Sequence, residues 1–189
     1  RLDGLGVGGG RLWGWTQSGE LWYLEEGRDA VAFKQIERLF GRDLEGTQHR
    51  LALMDSGLVV VFPDGLAYWR VDGDWEWRDF PEERALAERM VWEETDGILT
   101  GWLLGRKAAH WVVEEVSSSP GGYFEARLLG FPYLDRIGGI RDFLVDGTEP
   151  REFAFAGTRG ILLADERVTE QRGAPGAPLV YEAVGLFRI

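Results

Sequence analysis

Cysteine is absent from the 189 residues, which excludes disulfides, thiolate metal sites, iron–sulfur clusters and thiol nucleophiles. A cysteine-free chain suits a reducing compartment, so a cytoplasmic location is expected. Asparagine is also absent, which removes any N-glycosylation acceptor. With few Lys, Met and Gln, this composition suits a GC-rich bacterial gene. No window approaches the roughly 18 consecutive apolar residues of a spanning helix, and no signal-type segment opens the chain. Because the chain starts on Arg1 rather than Met, it reads as a processed form or a piece of something longer, which leaves room for a targeting segment ahead of it.

Lysine is nearly absent: Lys34 and Lys107 are the two lysines, and Arg supplies the other positive charge. The formal net charge is −11, and no basic stripe stands out. Such a chain repels phosphate backbones and anionic bilayers, so neither nucleic acid nor membrane is expected as a partner. What is abundant is apolar and aromatic: 44% hydrophobic residues and nine Trp, enough for a substantial core. The Trp residues sit in short apolar runs such as Arg11-Leu12-Trp13-Gly14-Trp15, where large rings pack well on a pleated surface.

Those runs recur between Gly and Asp-Gly punctuation and fall into four groups of four. The first is Gly4–Gly8, Arg11–Trp15, Glu20–Glu25 and Ala30–Glu37. The second is His49–Met54, Leu58–Phe62, Leu66–Val71 and Asp74–Phe80, joined by Asp55-Ser56-Gly57, Pro63-Asp64-Gly65 and Asp72-Gly73. The third is Arg89–Thr95, Ile98–Leu104, Ala108–Glu115 and Gly122–Leu129. The fourth is Ile140–Val145, Arg151–Ala156, Gly160–Asp165 and Pro178–Phe187. Short Asp-Gly loops are the strongest local hairpin signal, because Gly tolerates the positive φ of these turns.

With the glycine of each second-to-third turn as a landmark, Gly19, Gly65, Gly105 and Gly160 lie 46, 40 and 55 residues apart. Four antiparallel strands at a period of about 40 to 50 residues mark a propeller blade. The expected fold is therefore all-β: a β-propeller of four blades of four antiparallel strands, either a closed four-bladed ring or half of a larger propeller. Residues 1–189 form one such domain, with blades at about 1–46, 47–83, 84–135 and 136–189. Two segments depart from it. Pro81–Arg89 combines Pro and acids in a first turn with helix formers after, which predicts a short helix; Phe33, Ile36, Leu39 and Phe40 also stand at helical spacing.

The repeated pattern of apolar run, Asp-Gly, apolar run, Asp-Gly and Leu-x-x-Trp, best seen in Leu66–Gly73, resembles the broad WD40 and quinoprotein-type propeller class. The Trp-Asp and Gly-His dipeptides of true WD40 repeats are missing, as are kelch and quinone-binding motifs, so the resemblance implies architecture and no particular family. In size a four-bladed domain resembles hemopexin-like domains, which usually close their ring with a disulfide that this chain cannot form.

No catalytic set converges. The histidines are His49 and His110; neither pairs with a nucleophile or a second metal ligand, and Ser117-Ser118-Ser119 reads as a hairpin turn. Asp72-Gly73-Asp74 lacks EF-hand spacing, and the run Gly4–Gly10 lacks the Lys-Ser/Thr of a phosphate loop, reading as a crowded strand in close backbone approach. No metal, cofactor or catalytic residue is expected. Propellers place their function where blade loops converge. Here the second-to-third loops offer Gln17, Ser18, Asp64, Arg106, Lys107, Thr158 and Arg159, a set suited to a polar or acidic ligand.

The expected function is accordingly a non-catalytic binding or scaffold module that engages a protein partner or another subunit of an assembly. Two alternatives stand beside it. A carbohydrate- or small-ligand-binding propeller would present Tyr123 or Tyr133 at a loop tip. A carboxylate-dependent glycosidase or lyase would need two carboxylates facing one pocket.

Overall fold

The computed structural model describes residues 2–26, 31–44, 49–71, 73–80, 87–118, 124–146, 151–165 and 179–188. Among the described residues the chain is all-β, with one short 3-10 turn, and no helix there is long and apolar enough to cross a membrane. Sheet one holds β1 (Gly4–Gly8), β2 (Arg11–Trp15), β3 (Leu21–Glu26) and β4 (Val31–Ile36) in chain order, all antiparallel. A small hairpin, β5 (Arg38–Leu39) and β6 (Arg42–Asp43), follows. Sheet two is the antiparallel meander β7 (Arg50–Met54), β8 (Gly57–Phe62), β9 (Gly65–Arg70) and β10 (Trp75–Asp79).

Sheet three runs β11 (Arg89–Thr95), β12 (Ile98–Lys107), β13 (His110–Ser118) and β14 (Phe124–Gly130), and the 3-10 turn Leu134–Ile137 comes next. Sheet four is β15 (Ile140–Asp146), β16 (Glu152–Gly157), β17 (Gly160–Asp165) and β19 (Glu182–Arg188). Between its last two strands, β18 (Leu179–Val180) adds in parallel to β14 at the edge of sheet three. The chain divides into two compact units, residues 1–86 with 120–124, and residues 87–119 with 125–189. Four antiparallel meanders of four strands are compatible with a propeller-like repeat.

Turn chemistry explains the hairpins. Between β11 and β12, Asp96 and Gly97 both take positive φ, 53° and 77°, the pairing that matches the right-handed twist of flanking strands. The glycine run of β1 serves close approach: a Cβ on Gly6 would stand 2.1 Å from Leu53 Cδ1, and one on Gly8 would stand 2.5 Å from the Gly57 carbonyl oxygen of sheet two.

Five expectations are corrected. Gly105-Arg106-Lys107 is not a turn: β12 continues to Lys107, and Ala108, with φ 55°, turns the chain instead. The reason is a cross-strand pair, Arg106 opposite Trp111, whose guanidinium lies 4.3 Å from the ring centroid and holds the ladder together. Likewise Ser117 and Ser118 belong to β13, where the Ser118 hydroxyl accepts the Leu99 N–H at 2.9 Å. Phe33 and Ile36 lie on strand β4, Leu39 in the small hairpin and Phe40 at its turn, so their helical spacing reflects a strand meeting a tight turn. Pro178–Phe187 splits at Tyr181, which is buried and stacked on Phe131. Of the expected helix at 81–89, residues 81–86 lie outside the described residues, 87 and 88 are not helical and Arg89 opens β11.

Within each unit one sheet packs face to face on the next. Trp13, Leu21, Tyr23 and Ile36 form the forward face of sheet one and meet Leu58, Val60, Phe62, Ala67 and Trp69 on the rear face of sheet two. In the second unit Trp102, Leu104 and Val113 form the forward face of sheet three and meet Phe143, Phe153, Phe155 and Leu162 on the rear face of sheet four. The remaining faces differ in burial. Val59, Val61, Leu66 and Tyr68, forward on sheet two, are at most 4% exposed, and Trp92, Leu99, Leu103 and Val116, rearward on sheet three, are at most 8% exposed. On the rear face of sheet one, Leu5, Val7 and Phe33 are instead 59%, 65% and 39% exposed. On the forward face of sheet four, Leu144 and Phe187 are 67% and 58% exposed.

Candidate functional site

The expected loop residues separate into two groups. In the first unit, Gln17 and Ser18 belong to a turn that satisfies itself: the Gln17 N–H donates to Asp3 Oδ2 at 2.8 Å, and the hydroxyls of Thr16 and Ser18 lie 2.8 Å apart. Asp64 is paired with Arg42, whose guanidinium sits 3.7 Å from the centroid of Trp77. The hydrogen bond from Arg42 holds the Asp64 carboxyl below its ordinary pKa. Asp64 therefore ties the small β5–β6 hairpin to sheet two, and it shares no hydrogen bond with Gln17 or Ser18 among the described residues.

In the second unit the expected loops do converge, on the 3-10 turn Leu134–Ile137. Leu134 and Ile137 point into the core and fix the turn; Tyr133 before it takes the left-handed conformation, φ 71° and ψ 5°. Asp135 reaches the β12–β13 hairpin: its Oδ1 accepts the Trp111 backbone N–H at 3.0 Å, and its Oδ2 lies 2.8 Å from His110 Nδ1. The Trp111 indole N–H donates to the Gly138 carbonyl at 3.2 Å. The β16–β17 turn is laced to the same segment, since the Arg159 N–H donates to the Ile137 carbonyl at 2.8 Å and the Thr158 hydroxyl accepts the Gly139 N–H at 3.1 Å.

This end of an acidic chain thus gathers Arg106, Lys107, Arg136 and Arg159. Arg106 is paired with Glu88 at 3.5 Å, whereas Lys107, Arg136 and Arg159 make no ion pair among the described residues. Asp135 is held below its ordinary pKa by the Trp111 N–H first and by His110 second, so its charge persists as the pH falls. Tyr133 is 48% exposed and carries the Arg136 guanidinium 4.4 Å from its ring centroid. Both line a cleft of about 220 Å³ with Ala183, Val184, Gly185 and Leu186 of β19. Tyr123 lies outside the described residues. His49 is buried against the ring of Phe62.

A second polar group, which the sequence reading missed, sits inside the same unit. Glu115 on β13 is buried opposite Trp102. It accepts the Trp102 indole N–H at 3.2 Å, Arg127 Nε at 3.0 Å and Arg151 Nη1 at 3.2 Å. Glu93 is close by: burial pushes its carboxyl above the ordinary pKa, against the opposing charge of Arg151. Its signal was a charged residue at an inward position of the alternating run His110–Ser118. Two carboxylates in unlike settings resemble an acid–base pair, but both Glu115 oxygens are held by arginines, as in a structural ion pair. No group of three or more acids and histidines suited to a metal occurs among the described residues.

A raised pKa in the folded state means that charged Glu93 opposes folding above its unfolded value, and that protonation restores stability as pH falls through the folded value. Glu93→Gln is therefore expected to raise the urea midpoint at pH 7, with the gain shrinking toward pH 4. A gain that does not change with pH would mean that the burial of the charge is not its source.

Compared with protein-family models, with curated proteins and with solved structures, the chain matches none.

Proposed function

We propose that the chain is a non-catalytic assembly module that mates head to tail with a second copy of itself, the rear face of sheet one against the forward face of sheet four. The observation that carries this reading is the pair of uncovered apolar faces. Forward-on-rear stacking is used once in each unit. The rear face of sheet one and the forward face of sheet four both carry exposed apolar side chains.

Both faces carry apolar rows. Across sheet one the rear rows are Leu5, Gly14, Trp22 and Gln35, then Val7 with Leu12 and Leu24 with Phe33, ending on Glu26 opposite Val31. Across sheet four the forward rows are Leu144, Ala154, Leu163 and Gly185, then Asp142, Ala156, Ile161 and Phe187, with the acidic row Asp146, Glu152 and Asp165 at one border. Exposed apolar patches of this kind mark interaction surfaces. Because the contact joins two different faces, two copies that use both form a closed dimer, and copies that fail to close run on as an open chain.

Light scattering across a concentration series is expected to give twice the chain mass. Added salt should tighten the association, because each copy carries a net charge of −11. Leu144→Asp and Val7→Asp should each yield monomers, and an equimolar mixture of the two variants should recover a heterodimer through the one pair of intact faces. A parent chain that stays monomeric up to about 100 μM, above the micromolar range in which specific contacts hold, overturns the reading.

A further inference from the structure

The geometry points to a binding site for a small aromatic carboxylate in the cleft between Tyr133, Arg136 and strand β19. Three irregularities meet there. The pairing of β17 with β19 skips a residue, Leu163 facing Gly185 and Ala164 facing Ala183, so Val184 is bulged out and 49% exposed. Bulges on edge strands re-aim side chains and gather beside sites. Opposite stands Tyr133 in the left-handed conformation, a costly choice for an aromatic residue that persists where its surroundings impose it. Here they do: Leu134 and Ile137 anchor the turn in the core, while Asp135 and Gly138 bind it to the β12–β13 hairpin.

Between these walls lies Arg136, with no ion pair among the described residues and with its guanidinium 4.4 Å from the Tyr133 ring centroid. Stacking fixes the guanidinium plane and leaves its N–H fork free, the arrangement that suits a carboxylate held by two parallel hydrogen bonds. Ala183, Val184 and Leu186 give the rest of the cleft an apolar lining. A cleft of about 220 Å³ has room for one ring and its acid group.

The test is a titration with sodium benzoate, followed through the backbone amide signals of Arg136, Val184 and Gly185, with benzamide as the uncharged probe of equal shape. It is run on the chain and on Leu144→Asp, so that coverage of sheet four does not decide the result. Saturable shifts are expected with a dissociation constant of about 1 to 10 mM, the range open to so small a ligand. Benzamide should bind at least tenfold more weakly, and Arg136→Gln should weaken benzoate at least tenfold while Tyr133→Phe retains it. Equal responses to benzoate and benzamide, an unchanged affinity in Arg136→Gln, or no saturable shift by about 50 mM each overturn the site.

Discussion

Glu115→Ala is expected to destabilise the second unit by about 3 to 5 kcal/mol, the usual cost of stripping one partner from a buried charge pair. The glutamate is 6% exposed and the side chain of Arg151 19%. Alanine would leave that guanidinium and the Trp102 indole N–H without their acceptor, and Arg151 Nε already lacks a partner among the described residues. Arg127, 45% exposed, can turn to water and contributes less. Urea unfolding of Glu115→Ala, of Arg151→Met and of the Glu115→Met, Arg151→Met pair separates the parts. The double variant should cost less than the two single losses together, because neither member of the Glu115–Arg151 pair is left buried without the other. A loss below about 1 kcal/mol for Glu115→Ala would show that the pair is hydrated and not part of the core.

Trp13→Ala should cost the first unit a similar 3 to 5 kcal/mol, about the range for deleting a large buried aromatic. Trp13 is fully buried, meets Trp69 and Trp75 edge on at 5.1 and 6.0 Å, and donates its indole N–H to the Gly8 carbonyl at 3.1 Å. Its removal also loosens Arg11, which lies over Tyr23 and Trp69 at 4.9 and 4.7 Å. Trp13→Phe keeps most of the ring contacts and loses the hydrogen bond, so it should fall well short of the alanine cost. Amide exchange gives the check: β2 and β8 should lose protection while β16 and β17 keep theirs. Uniform loss over all four sheets would mean that the chain unfolds as one block.

The hairpins were legible because turn chemistry is local. The Asp96-Gly97 turn located the end of Arg89–Thr95 without error, and the glycines of β1 were rightly read as marks of close approach. Gly105 misled, because a glycine inside a strand looks like one in a turn until the pairing of Arg106 with Trp111 is known. The hub that ties the β12–β13 and β16–β17 turns together was not legible, since the turn at Leu134–Ile137 carries no motif and draws its position from Asp135, which bonds to residues 24 and 25 places away. Glu115 escaped notice for the same reason: opposite charges meet only once three strands are in register.

Strand β18 makes the two sheets of the second unit share one tether. Leu179 and Val180 pair with β14, and Tyr181, which follows them and leads into β19, is anchored to the Gly130 carbonyl. The last strand of sheet four is thus recruited through the edge of sheet three, a contact that spans about fifty residues of chain and carries a matching loop-closure entropy. Loosening the edge of sheet three is therefore expected to release the last strand of sheet four as well, as paired loss of amide protection in β18 and β19.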